Sequence, residues 1–296
     1  MSRILCVVTL SLVLAPVARS QTGQYEFSTT WFQLPSGIEL GQPMAISSDD
    51  AGSLVLLRRM AEVPILVLKT DGSFVRGWGE GMFTGAHSVF VDRNGFVWAT
   101  DNADNVVYKF AMDGRLLMTL GRRGVVGDNT SRDLFDGPSG VFVDPEGDVY
   151  VTDGYRNSRI VKFNDAGEFL QIIGGVKGSG PGELDLVHAI VVDSRGRLIV
   201  ADRNNARIQV FNADGSFAEQ WAHLGIEQPS GLYITSDDVV YTNDAATGMI
   251  LAIREGRIVE RIDGAGGRPH LITRDETGAL YIADAQSVEF ERIRKR

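Results

Sequence analysis

Beyond its first twenty residues the chain places its apolar residues in short β-forming runs separated by Asp- and Gly-bearing turns. An alternating run opens each unit, as in Val89–Val91, Val141–Val143 and Ile190–Val192. A D-x-x-G turn follows at Asp49/Gly52, Asp92/Gly95, Asp144/Gly147, Asp193/Gly196 and Asp275/Gly278, degenerate once at Thr235/Asp238. Next comes a run rich in β-formers: Phe96–Thr100, Val149–Thr152, Leu198–Ala201, Val239–Thr242 and Leu280–Ala283. A third run (Val106–Phe110, Arg159–Phe163, Arg207–Phe211) leads to a hairpin turn at Asp113-Gly114, Ala166-Gly167 or Asp214-Gly215. An outer run closes the unit: Phe74–Trp78, Leu116–Leu120, Phe169–Ile173, Phe217–Trp221 and Ile258–Ile262. Period-two alternation, β-branched residues and Gly-bearing turns predict four antiparallel strands per unit.

The units recur roughly 40 to 50 residues apart, the spacing of propeller blades. Aligned on the turn, Met44, His87, Ser139, His188, Ser230 and His270 share one slot in six copies. The sixth copy ends at Arg296 after three strands, and Tyr25–Leu34 resembles the missing outer strand. The pattern predicts an all-β, six-bladed propeller whose N-terminal strand closes the ring and removes its exposed edges.

The first twenty residues stand apart. Arg3, the apolar run Ile4–Val17 and the small residues Ala18 and Ser20 read as a cleavable signal peptide over 1–20. The expected mature domain is then 21–296, secreted or periplasmic, with no membrane attachment after cleavage. Cys6 is the only cysteine and lies inside that leader, so the mature domain has no disulfide. Thirty-eight acidic against 29 basic residues, a net charge of −9, argue against nucleic acid as a partner. Oligomeric state is left open.

The chemistry concentrates at the shared slot. If six units close a ring, copies two, four and six stand about 120° apart, and His87, His188 and His270 converge on its axis. Neutral imidazoles are borderline-soft ligands, and three leave an open position for water or substrate. Zinc is the first choice; iron, copper and nickel accept the same ligands. The bland alternative is three channel histidines satisfied by backbone or water, and three in register weigh against it. His223 breaks the register and belongs on the surface. Fourteen residues after the slot come Asp101, Asp153, Asp202, Asp244 and Asp284, with Arg58 in the first copy. They recur whether or not the blade carries histidine, so their expected role is to hydrogen-bond neighbouring backbone. Just beyond lie Arg59, Tyr155 and Arg203; at the slot of the two arginines other copies have Asn102, Ala245 and Ala285. Two arginines can hold a carboxylate, and positive charge lowers the pKa of a neighbouring phenol. Ordinary loop-tip ion pairing is the alternative for each.

Gly182-Glu183-Leu184-Asp185 ahead of His188, and the repeated D-x-x-G-x-x-x-x-x-D spacing, resemble NHL repeats. The stretches Thr152–Val161 and Val200–Gln209 are similar to peptidyl-α-hydroxyglycine α-amidating lyases, and the resemblance spans about residues 40–290. It implies a metal-dependent carbon–nitrogen lyase that cleaves a carbinolamide to an amide and glyoxylate. By that resemblance His87, His188 and His270 hold zinc, Tyr155 is the general base, and Arg59 and Arg203 orient substrate and tyrosine. The family's structural calcium would sit on the backbone carbonyls of Ile46 and Val89, with an Asp directly after the last histidine as third ligand. Here that residue is Leu271, which has no side-chain oxygen. Animal members carry cysteines where this chain has Arg156 and Val210.

Two other readings compete with a lyase acting on a small-molecule or peptide substrate. One is a non-catalytic NHL scaffold that binds a protein or other ligand. The other is a propeller lactonase, whose channel presents carboxylates and Asn to calcium. Fold alone does not separate them.

Overall fold

The computed structural model describes residues 24–49, 51–59, 62–265 and 267–296. The expected leader over 1–20 lies outside them. Among the described residues six four-stranded antiparallel sheets form, each built from consecutive strands except the last. Their inner strands are Gln42–Ser48, Ala86–Val91, Pro138–Val143, Val187–Val192, Pro229–Ile234 and Pro269–Arg274. Each inner strand packs beside the next, and the first packs beside the sixth, so the propeller is a closed ring.

Closure follows the expected route. Tyr25–Ser28 pairs antiparallel with Glu289–Lys295, with Tyr25 opposite Lys295 and Ser28 opposite Arg292. The expected strand reached Leu34, but pairing stops at Ser28. The chain then turns inward, and Trp31 buries its ring against Tyr281 at a 5.0 Å centroid distance. Its Nε1 donates to the Phe290 carbonyl at 2.8 Å. Burial of an indole outweighs continued pairing along an already complete sheet.

The core lies between blades rather than at a single centre. Trp98, Val107, Phe135, Val149, Val161 and Phe163 make one inter-blade cluster; Ile46, Leu54, Leu56, Tyr281 and Phe290 make another across the closure. Each fully buried side chain of this kind contributes about 1.5–3 kcal/mol. No helix among the described residues is long and apolar enough to cross a membrane.

The second strand of blades two to six runs further than the apolar pattern indicated, by two residues in blade five and by one in the others, ending on the repeated Asp. These carboxylates clamp the segment entering the inner strand. Asp101 accepts from the backbone of Thr84, Gly85, Ala103 and Asp104. Asp202 accepts from the backbone of Asp185, Asp244 from Glu227 and Gln228, and Asp284 from Arg268. Asp153 and Asp202 also pair with the buried guanidiniums of Arg159 and Arg207. The first blade inverts the polarity: buried Arg58 donates to the carbonyls of Glu39, Leu40 and Val63. Burial lowers its pKa to about 10, which still leaves it charged at neutral pH.

Candidate metal centre

All six inner strands share one irregularity. Their register against the second strand slips between Pro43 and Ala45, Ala86 and Ser88, Pro138 and Gly140, Val187 and Ala189, Pro229 and Leu232, and Pro269 and Leu271. The slipped positions include Met44, His87, Ser139, His188, Ser230 and His270, the shared slot of the repeat. A bulge re-aims its side chain and frees its carbonyl from the ladder, and here both consequences are used.

Each histidine is fixed by the bulge of the following blade. His87 Nδ1 lies 2.6 Å from the Ser139 carbonyl, His188 Nδ1 2.8 Å from that of Ser230, and His270 Nδ1 2.6 Å from that of Met44. A carbonyl only accepts, so each Nδ1 carries the hydrogen and donates it, leaving every Nε2 a bare lone pair. One ring nitrogen of each histidine lies within 4.8 Å of the other two. Ring centroids stand 5.2 Å (His87–His188), 4.6 Å (His87–His270) and 4.9 Å (His188–His270) apart. A buried Nδ1–H donated to a carbonyl fixes the tautomer and the ring orientation and leaves Nε2 free, as in histidines that ligate metals. Three neutral nitrogens in this arrangement fit a zinc-type ion.

Burial pushes the pKa of His87 and His188 well below the usual imidazole value and that of His270 to about 4. The neighbouring arginines add to the effect, Arg59 at His87 and Arg203 at His188. All three rings are therefore neutral at pH 7, the form a metal requires.

Tyr155 caps the cluster. Its hydroxyl lies 2.7 Å from His87 Nε2 and 3.5 Å from His188 Nε2. With His87 Nε2 unprotonated, the hydroxyl donates to it. Two glycines place the ring. A Cβ on Gly154 would land on the Val187 carbonyl, so only glycine lets this loop lie against the strand bearing His188. A Cβ on Gly137, whose φ is +82°, would stand 2.7 Å from Tyr155 Cβ.

Arg59 and Arg203 flank the phenol. Arg59 Nε donates to the Ala86 carbonyl at 2.9 Å, beside His87, and its Nη2 to Asn102 at 3.3 Å. Arg203 starts the 3-10 turn Arg203–Asn205, donates to Gln228 at 3.4 Å, is buried, and acts through its charge on the Tyr155 phenol. The sequence reading expected these cations to lower the phenol pKa. Instead it lies above its ordinary value, because desolvation of the phenolate exceeds the pull of Arg203, Arg59 and Arg268. The sequence reading counted charges without burial.

Arg268 was missed altogether. It stands two residues before His270, exposed, and its charge acts on Tyr155, Arg203, His188 and His270. His223 lies in the 3-10 turn Ala222–Leu224 at the surface, its Nε2 2.9 Å from the Gly256 carbonyl.

At the opposite mouth of the channel a cavity of about 430 Å³ reaches His188 from below, lined by Ile46, Val89, Phe90, Phe142 and Leu271 among others. Leu271 is 8% exposed and packs in one apolar cluster with Ala45, Val89 and Val91. A calcium ion needs an oxygen there, so these residues do not fit one.

Fold and hub together define a six-bladed propeller with three histidines converging on its axis. The NHL-repeat model matches residues 135–163 and 184–211. NHL repeat-containing protein 3 of Homo sapiens is 31% identical over 291 residues, covering 90% of this chain and 83% of that protein. The chain belongs to this NHL-repeat family. A probable peptidyl-alpha-hydroxyglycine alpha-amidating lyase of Caenorhabditis elegans is also 31% identical, covering 64% of this chain and 51% of the worm protein. Among solved structures, a streptogramin B lyase superposes with a TM-score of 0.65 at 15% identity, covering 93% of this chain and 99% of that one. That last likeness concerns the fold alone.

Proposed function

We propose that the protein is a zinc-dependent lyase that cleaves the C–N bond of a peptidyl-α-hydroxyglycine or related carbinolamide, releasing an amide and glyoxylate. One observation carries the reading: three imidazoles locked with Nε2 inward, and a tyrosine hydroxyl 2.7 Å from one of those nitrogens. A scaffold that only binds a partner has no need to desolvate three histidines, a phenol and two arginines around one point. Kinship with the worm lyase supports the reaction class.

His87, His188 and His270 would hold the ion. When bound, zinc supplies Lewis acidity toward the substrate hydroxyl and positive charge beside the phenol. Tyr155, as phenolate, accepts the hydroxyl proton. As the C–O bond becomes a carbonyl, the C–N bond breaks and its electron pair leaves with the amide nitrogen, which takes up a proton. Arg59 and Arg203 oppose the burial that keeps the phenol protonated, and Arg203 meets the substrate carboxylate. We also propose that residues 1–20 direct export and are removed, which N-terminal sequencing of the exported protein tests.

The deciding experiment incubates zinc-loaded protein with a peptidyl-α-hydroxyglycine and assays glyoxylate, beside a His188→Ala control. Release that depends on His188 is the expected result. Fully loaded protein that releases none refutes the assignment.

A further inference from the structure

The rim above the histidines has a second repeated position, two residues before the shared slot: Gln42, Gly85, Gly137, Leu186, Gln228 and Arg268. In blades two, four and five the main-chain carbonyl of this residue accepts from the residue one beyond the repeated Asp. The pairs are Asn102 to Gly85 at 3.0 Å, Arg203 to Leu186 at 3.2 Å and Ala245 to Gln228 at 2.9 Å. In blade three Tyr155 donates to Gly137 at 3.2 Å, and in blade one Gln42 and Arg59 are register partners. The position is therefore level with Arg59, Tyr155 and Arg203. Blade six exchanges the partners. Alanine (Ala285) occupies the place where Arg59 and Arg203 stand, and the arginine occupies the other.

Arg268 is the one charged residue of this collar. Its backbone nitrogen donates to both oxygens of Asp284, at 3.1 and 3.0 Å, which fixes where the side chain starts. Among the described residues the guanidiniums of Arg59, Arg203 and Arg268 form no ion pair. Arg59 and Arg203 instead meet carbonyl, amide and phenol groups, and among the described residues the Arg268 guanidinium makes no hydrogen bond. Asp101 and Asp244 act on Arg59 and Arg203 only at longer range, so three cations without a direct ion pair share one mouth in a chain of net charge −9 and favour an anion there. One substrate carboxylate meets Arg203 in the reaction proposed above. That leaves the Arg268 charge, which repels Arg203, without an anion.

We propose that Arg268 selects substrates bearing a second anionic group on the acyl side, an acidic peptide rather than a neutral one. This rests on the lyase reading for the first carboxylate only. Its form is electrostatic complementarity at a partly exposed rim, which favours the matching ligand and weakens with salt.

The test is calorimetric binding of two peptides that lack the reactive hydroxyl, N-acetyl-glutamyl-glycine and N-acetyl-glutaminyl-glycine, to zinc-loaded protein. The pair differs in one charge. The glutamyl peptide should bind about tenfold tighter at low salt, equivalent to about 1.4 kcal/mol. Arg268→Gln should abolish the preference and Arg268→Glu should invert it, with zinc content unchanged. Equal binding of the two peptides, no binding of either, or a preference that survives Arg268→Gln overturns the proposal. Because neither peptide reacts, a selective protein that releases no glyoxylate sinks the lyase reading and leaves this one. An active but unselective protein does the reverse.

Discussion

His270, in the last blade, donates its Nδ1 hydrogen to the main-chain carbonyl of Met44, in the first, across 2.6 Å and 226 positions of sequence. One of the three candidate ligands is thus oriented by the closure of the ring. The sixth sheet owes its outer strand to Tyr25–Ser28. A protein that lacks every residue up to and including Ser28 should melt lower by more than about 5 °C, given that 1 kcal/mol shifts a domain of this size by a few degrees. It should also retain less zinc although every histidine is present. Melting curves and metal analysis on the same sample check this; unchanged zinc content would uncouple closure from the centre.

The same histidine makes the metal-free protein sensitive to acid. Folding lowers its pKa from the ordinary 6.5 to about 4, mainly by burial. Between these values the unfolded chain binds more protons than the native one, so stability rises with pH. The contribution is complete above pH 6.5 and is lost as pH falls toward 4. At pH 4.5 about 2–3 kcal/mol has gone. Urea titrations of metal-free wild type and His270→Asn should therefore converge by that amount between pH 7 and 4.5. A gap independent of pH would mean that the ring is not held neutral by burial.

The propeller was readable because its period survives in the D-x-x-G turns and in the Asp that follows them, and the alternate histidines stood out against that register. The bulges were not readable. A register slip leaves alternation on either side intact, so the repeat register put His87 at the axis but nothing in Ala86–Val91 announces the bulge that aims it there. Its acceptor, the Ser139 carbonyl, is main chain and has no residue signature. Tyr155 stands beside the histidines, but the burial that raises its pKa is invisible in a list of neighbouring charges. Arg268 precedes its slot, whereas Arg59, Tyr155 and Arg203 all follow the repeated +14 position, so the register that marks those three does not mark it. Reading the column before the slot, from Gln42 to Arg268, would have shown its single charge.

Two of the repeated aspartates differ in what they leave behind. Asp153 binds Arg159, and both side chains are fully buried; Asp101 accepts backbone hydrogens alone. Asp153→Ala strands a buried guanidinium and should cost about 3–5 kcal/mol. Asp101→Ala strands amides with nearer access to water and should cost about 1–3 kcal/mol. Chemical denaturation of the two variants measures the difference. Equal costs would show that the cation adds nothing to the clamp.

Calcium offers a contrast with zinc. Leu271 completes an apolar cluster with Ala45, Val89 and Val91, where an ion would need oxygen. The melting temperature of the zinc-loaded protein should therefore be the same with millimolar calcium as with a calcium-selective chelator. A calcium-dependent rise would locate an ion that these side chains do not hold.

Tyr155 and Gly154 separate chemistry from placement. Tyr155→Phe removes the hydroxyl that donates to His87 Nε2 while the ring still fits beside Gly137. Zinc content should stay near one per chain, and glyoxylate release should fall by about 10²–10⁴, the worth of a positioned general base. Gly154→Ala keeps the hydroxyl but sets a methyl against the Val187 carbonyl, next to His188. The strand must yield, so this variant should lose activity and zinc together. If Gly154→Ala keeps its zinc and Tyr155→Phe does not, the phenol is a structural prop for the histidines, and its part as proton acceptor falls.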